Sequence, residues 1–316
     1  MKYLDYSKLA AFRAAHFPKH DFGRVGKGGE YQSDYIDIVR FFGPERINPS
    51  NVLIRYDDYP FEIQNPLIDS YAGDVAESMR RAGRLHDGPT VMKLVASDIR
   101  GESPSLAVQP TDYALQAGTC FALDLPHCSF EAYGGTLRDY YRRDCETPTV
   151  DNNPLAICLG VCGSLVVDEG ERSYLLSVRR SRHLASLESS IGPSVAGVVD
   201  YSTDHDNLGA LISSAVGAEI EEELNLRQGE YEIVPLAWAI ELFRGERPQI
   251  FCLIRTTLNS EQLRRRLESI PARKREYESF EFVPLNVGAM PEQKHIESLN
   301  FEARMNAFLA EEYLGR

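Results

Sequence analysis

Ala218-Glu219-Ile220-Glu221-Glu222-Glu223-Leu224-Asn225-Leu226 is the stretch on which the fold turns. Upstream of it, Leu208, Ile212, Val216, Ile220 and Leu224 recur at a four-residue spacing, which predicts one helix over residues 206–226 with a single buried stripe. Asp206 or Asn207 can cap its start, and Asn225 can take the left-handed conformation at its end. On such a helix Glu219, Glu222 and Glu223 stand at i, i+3 and i+4, so their side chains leave one face from adjacent turns. Like charges this close destabilise an isolated helix by a few tenths of a kcal/mol per pair. The pattern therefore reads either as a solvated acidic face or as a site neutralised by a cation. Carboxylate oxygens on a rigid helix suit Mg2+ or Mn2+.

Working upstream, Leu155 to Val167 is the strongest strand signal in the chain. A turn at Asp168 to Arg172 and a second strand at Tyr174 to Val178 follow, which together make a hairpin. That strand runs into Arg179, Arg180 and Arg182, and Pro193 to Asp200 then forms a glycine-containing bend at Gly197. Downstream, strands are expected over 234–240, 249–256 and 280–285. Helices are expected over 260–270, with Ser260 as cap, and over 300–313.

The order of hairpin, basic run, glycine bend and acidic helix resembles the Nudix superfamily, whose motif ends R-E-U-x-E-E-x-G-U with U aliphatic. Glu219, Ile220, Glu222, Glu223 and Leu226 match it, and Ala196-Gly197-Val198-Val199-Asp200 resembles its opening turn. Ala218 stands where the motif has arginine, Asn225 where it has glycine, and Tyr201 to Leu208 lengthens the spacing. The resemblance implies an α+β chain: an α/β/α sandwich with a mixed central sheet at 151–316, preceded by a smaller α+β module at 1–150. It implies a metal-dependent pyrophosphohydrolase cleaving the diphosphate of a nucleoside diphosphate linked to another moiety, with Mg2+ or Mn2+ on Glu219, Glu222 and Glu223. It further implies that Arg179, Arg180, Arg182 and Gly197 face the substrate, and that Glu276 or Glu278 supplies an additional base; Glu241 and Glu246 are the other acidic candidates. Each arginine reads equally as an ordinary surface charge. The alternative, motivated by Ala218, is a catalytically weakened Nudix-fold protein that binds nucleotides or regulates.

The first module shows strands at 52–56, 91–95 and 106–109 with a helix over 70–84. The segments His86 to Leu94, Leu106 to Tyr113 and Gly118-Thr119 resemble the leading domain of the UDP-glucose-hydrolysing Nudix subset, which favours a nucleotide sugar and admits a homodimer. The first fifty residues read as loop. Glu146 to Pro154, polar and broken by two prolines, marks the boundary.

The 316 residues carry 43% hydrophobic and 26% charged side chains, values of a folded globular chain. A net charge of −13 disfavours nucleic acid as partner and leaves a small anionic nucleotide gripped locally. The six cysteines form no CxxC pair and read as buried free thiols of a reducing compartment, so the cytoplasm is expected. No apolar run is long enough to span a membrane. GxSxG, P-loop and GxGxxG patterns are lacking, which removes the usual serine-hydrolase, NTPase and dinucleotide-fold readings.

Overall fold

The computed structural model describes residues 36–43, 46–86, 88–99, 101–144, 150, 153–182, 184, 187, 189–285 and 299–315. Its strands are β1 (Ile36–Phe41), β2 (Leu53–Tyr56), β3 (Thr90–Asp98), β4 (Ser105–Asp112), β5 (Gly160–Glu169), β6 (Arg172–Arg180), β7 (Ile191–Gly192), β8 (Val195–Val198), β9 (Tyr231–Glu241), β10 (Arg247–Thr256) and β11 (Tyr277–Leu285). The α-helices are α1 (Pro66–Arg81), α2 (Tyr113–Thr119), α3 (Leu137–Asp144), α4 (Leu208–Leu224), α5 (Ser260–Ser269) and α6 (Phe301–Leu314).

The large sheet runs β1-β9-β10-β5-β6-β11, with β7 on β6 and β8 on β5. It is mixed, because β10 and β5 are parallel while the other pairs are antiparallel. Strand β5 explains why its sequence is apolar without alternation. Val161, Leu165 and Val167 face the cluster that contains α4 and α5, whereas Cys162 and Val166 face the cluster around α6. A strand covered on both sides has no solvent face to mark with polar residues. Helices on both faces of a mixed sheet make the α/β/α sandwich.

Strand β5 also splits its partners. Gly160 to Gly163 pair with β8, and Val166 to Glu169 pair with β6. At the fork Ser194 fills the gap: its Oγ accepts from Leu165 N–H at 2.7 Å and donates to the Leu176 carbonyl at 2.6 Å. The fork angles β8 beneath α4, which is how Gly197 comes to face the acidic helix.

Strands β2, β4 and β3 form the second sheet, with α1 and α2 packed beside it over a core that includes Ile68, Tyr71, Met79 and Phe130. The boundary expected near residue 150 does not separate independent cores. Strand β1 lies in the large sheet against β9, and Val52, Met92 and Leu94 share one cluster with Leu159, Val161 and α4. Backbone bonds tie β3 to the following half: Met92 N–H to Val199 O at 2.8 Å, Leu159 N–H to Met92 O at 2.8 Å and Tyr201 N–H to Thr90 O at 2.9 Å.

Several local expectations shift. Residues 36–41, expected to be loop, form β1, and α2 and α3 were not anticipated. Asn259, not Ser260, caps α5, because its side chain accepts from Gln262 N–H while Gln262 reaches back in a capping box. Asn207 caps α4, and Asn225 ends it at φ 55°. Among the described cysteines, Cys120, Cys158, Cys162 and Cys252 are buried free thiols but Cys128 is exposed; Cys145 lies outside the described residues.

Candidate active site

Gly197 on β8 lies directly under α4. A Cβ there would stand 1.7 Å from Glu219 Oε1, so the Glu219 carboxylate rests on bare backbone. One turn on, Glu223 is turned inward and 8% exposed. Glu276 enters from the approach to β11, where the Ser181 N–H donates to its carbonyl at 2.8 Å and Arg180 pairs with Tyr277 across the ladder. The charge of Glu276 acts on Glu223 as well as on Glu219. Glu219, Glu223 and Glu276 are thus brought together. Glu222 remains exposed at the rim, where its charge still acts on Glu219 and on Asp200.

Burial dominates the electrostatics. It pushes the Glu219 carboxyl up to about 7, with Glu276, Glu222 and Asp200 adding to the rise and Arg180 opposing it. The Glu223 carboxyl is held well above its ordinary range by burial, then by Glu219 and Glu276, again against Arg180. Among the described residues no three His, Cys, Asp or Glu side chains are arranged as they would be around an ion. The donor chemistry nonetheless fits a hard divalent cation: carboxyl groups graded from buried Glu223 through half-buried Glu219 to exposed Glu276, with more negative than positive charge.

The cluster opens onto a cavity of about 380 Å³, a size typical of small-molecule sites. Its floor includes Gly197, Glu219, Glu276 and Arg180; its opposite wall comes from the first half of the chain, through Arg84, His86, Pro89, Val91, Tyr113 and Phe121. The back wall is a buried ionic network. Arg247 donates to Gly197 O and to Cys158 O, each at 3.2 Å, and lies 3.8 Å from Glu302. Arg244 bonds Glu302 and reaches Glu241 Oε2 at 2.5 Å, with its guanidinium between the rings of Phe121 and Phe301 at 5.5 and 5.6 Å. Each of these charged side chains is 4% exposed or less, which is tolerable only because every one is paired. Burial works against the Glu302 carboxylate, but Arg244 and Arg247 hold its pKa below the usual range. Tyr113 presents its phenol to this wall, pushed up by burial.

The remaining expected residues lie elsewhere. Arg179 is exposed and donates to Ser189 O at 3.0 Å. Arg182 and Glu278 face each other at 4.0 Å away from the cavity, Glu278 sitting where the β11 ladder slips register. Glu241 belongs to the buried network, and Glu246 takes a bond from Asn153 Nδ2 at 3.4 Å. Trp238 is core, His205 gives its carbonyl to the Tyr56 hydroxyl, and His183 lies outside the described residues. Tyr113 and Glu302 line the cavity without having been singled out as site residues. The available signal was charge inside apolar runs, as at Glu302 between Phe301 and Ala303.

No family model matches the chain, and no curated protein matches it. Among solved structures it is similar to a Deinococcus radiodurans protein (19% identity, 40% of this chain and 65% of that one, TM-score 0.28). It is also similar to a Caenorhabditis elegans Ap4A hydrolase in a binary complex (13%, 50% and 96%, TM-score 0.29). A third likeness is to the NUDIX domain of Shewanella oneidensis NrtR complexed with ADP ribose (14%, 50% and 89%, TM-score 0.33). The chain thus spans a little under two thirds of the Deinococcus protein. At TM-scores below 0.5 these likenesses carry no weight for the site, whose chemistry follows from its own residues.

Proposed function

We propose that this chain is a Nudix-type hydrolase of phosphoric anhydride bonds, acting on a nucleoside diphosphate linked to another moiety such as a sugar. The observation that carries this reading is the convergence of Glu219, Glu223 and Glu276 over the bare backbone of Gly197, at the floor of a cavity. Four arginines, Arg84, Arg180, Arg244 and Arg247, line that cavity. Against them stand six carboxyl groups: Asp200, Glu219, Glu276 and Glu302 on the lining, with Glu223 and Glu241 in contact behind it. The excess of carboxyl over guanidinium groups around the cavity favours a divalent cation there. Glu219, Glu223 and Glu276 would hold it, with Glu222 reaching in from the rim.

A bound Mg2+ or Mn2+ supplies polarisation of the phosphoryl oxygens and a more acidic water. The chain's own residues do the rest. Arg247 fixes the Gly197 carbonyl, and with it the backbone on which Glu219 rests. Glu223, whose carboxyl is held well above its ordinary range, can hold or release a proton at its carboxyl oxygens. Tyr113 and Phe121 form the far wall of the cavity. The acidic balance of the chain favours a small anionic nucleotide over nucleic acid. The buried free thiols suit the cytoplasm, and no described helix is long and apolar enough to cross a membrane. A homodimer, in keeping with the two-module reading, is checked by light scattering.

The test is hydrolysis of nucleotide sugars and dinucleotide polyphosphates by the purified chain with Mg2+, beside Glu223→Gln. Turnover that falls by ~100-fold or more in the variant is the expected result. A second reading is favoured by Ala218: a nucleotide-binding or regulatory protein of the same fold. Tight nucleotide binding by calorimetry, with no turnover at any Mg2+ or Mn2+ concentration, would select it.

A further inference from the structure

We propose that Arg180 is the positioning residue of this site, the counter-charge that holds Glu219, Glu223 and Glu276 in one cluster. Helix α4 brings no cation of its own, because residues 208–224 contain neither lysine nor arginine. The compensating charge has to come from another element, and β6 delivers it. Of the three arginines at its end, Arg179 and Arg182 leave for Ser189 and Glu278, and Arg180 lines the cavity with Glu219 and Glu276.

The surroundings of Arg180 are shaped for it. A Cβ at Gly192 would stand 3.0 Å from its Cδ and 3.1 Å from its Cγ, so the glycine leaves the passage through which the side chain reaches the cluster. Its backbone is fixed on both sides, donating to Ser190 O at 2.9 Å and accepting from Ser189 N–H at 3.1 Å, while Tyr277 pairs with it across the ladder. The next N–H, that of Ser181, holds the Glu276 carbonyl, so cation and carboxylate are built on one backbone connection. The Nε of Arg180 is out of water with no hydrogen-bond partner, which leaves its charge, rather than a fixed ion-pair geometry, as its contribution. Arg180 lines the cavity together with Glu219 and Glu276, and Glu223 stands one turn of α4 beyond Glu219. The rival role is direct grip on a substrate phosphate.

The inference rests on reading these carboxyl groups as the working site, and the test lets either fail alone. Urea unfolding of the full chain, without ligand at pH 8, compares wild type, Arg180→Met, Glu276→Gln and the double variant. Arg180→Met is expected to lower the unfolding midpoint, and the loss is expected to be roughly halved or better in the Glu276→Gln background. Additive losses would overturn the proposal. Should Arg180→Met not fold, the same cycle run with Arg180→Lys decides, a smaller but still non-additive loss being expected. Where the wild type hydrolyses nucleotides, Arg180→Met should lower kcat with KM nearly unchanged; a raised KM at constant kcat assigns Arg180 to the substrate and overturns positioning. A wild type without turnover refutes the hydrolase reading and leaves the unfolding cycle to decide on Arg180.

Discussion

At the scale of single residues, the site depends on side chains that are absent as much as on those present. Gly197→Ala would drive a methyl group to within 1.7 Å of Glu219 Oε1, and the carboxylate must then move by more than an ångström. Misplacement of that size costs about 100-fold in rate. We expect kcat to fall by that order while the circular-dichroism melt changes little, since only the free end of Glu219 has to yield. Glu246 offers a second test, remote from the carboxylate cluster. Burial pushes its carboxyl up to about 8, against the opposing influence of Arg138 and Asn153. The folded state therefore binds this proton more tightly than the unfolded chain, so stability is greatest in acid and falls as pH rises from about 4.5 to about 8. Glu246→Gln should flatten that decline, which urea midpoints measured from pH 5 to 9 will show. The i, i+3, i+4 spacing made Glu219 and Glu223 legible in the sequence, and Glu276 was one of four acidic candidates. Tyr113 and Glu302 were not legible, because the site acquires them through contacts between segments more than a hundred residues apart, which no local period encodes.

At the scale of elements, the fork in β5 is the feature that aims β8 at α4. Ser194 holds it open by satisfying one N–H and one carbonyl that the diverging strands abandon. Ser194→Ala orphans both in a buried setting, at a cost of about 1–3 kcal/mol for each group. We expect a fall of several degrees in Tm, together with faster amide exchange at Leu165. Elements with a clean period were legible: α4 from its four-residue stripe, and the β5–β6 hairpin from its apolar runs and charged turn. Strand β1 was not, because Asp37 and Arg40 break the apolar alternation of residues 36–41. Helices α2 and α3 were missed because seven and eight residues are too few for a helical period to repeat.

At the scale of the whole molecule, the two sheets are joined through apolar packing and backbone bonds. One apolar cluster joins Val52, Met92 and Leu94 to the residues under α4, and Arg244 is clasped by rings from both halves of the chain. Calorimetry should accordingly give one unfolding transition rather than two; separate transitions would show that the sheets stand alone. The backbone bonds from β3 to Leu159, Val199 and Tyr201 have one more consequence. They suture the two sheets along one flank of the cavity, so its walls cannot swing apart as a clamshell without tearing a β-ladder. Exposed lining residues, among them His86, Pro89, Asp200 and Glu276, mark where the chamber meets solvent, and whatever is too large for it has to trail outside.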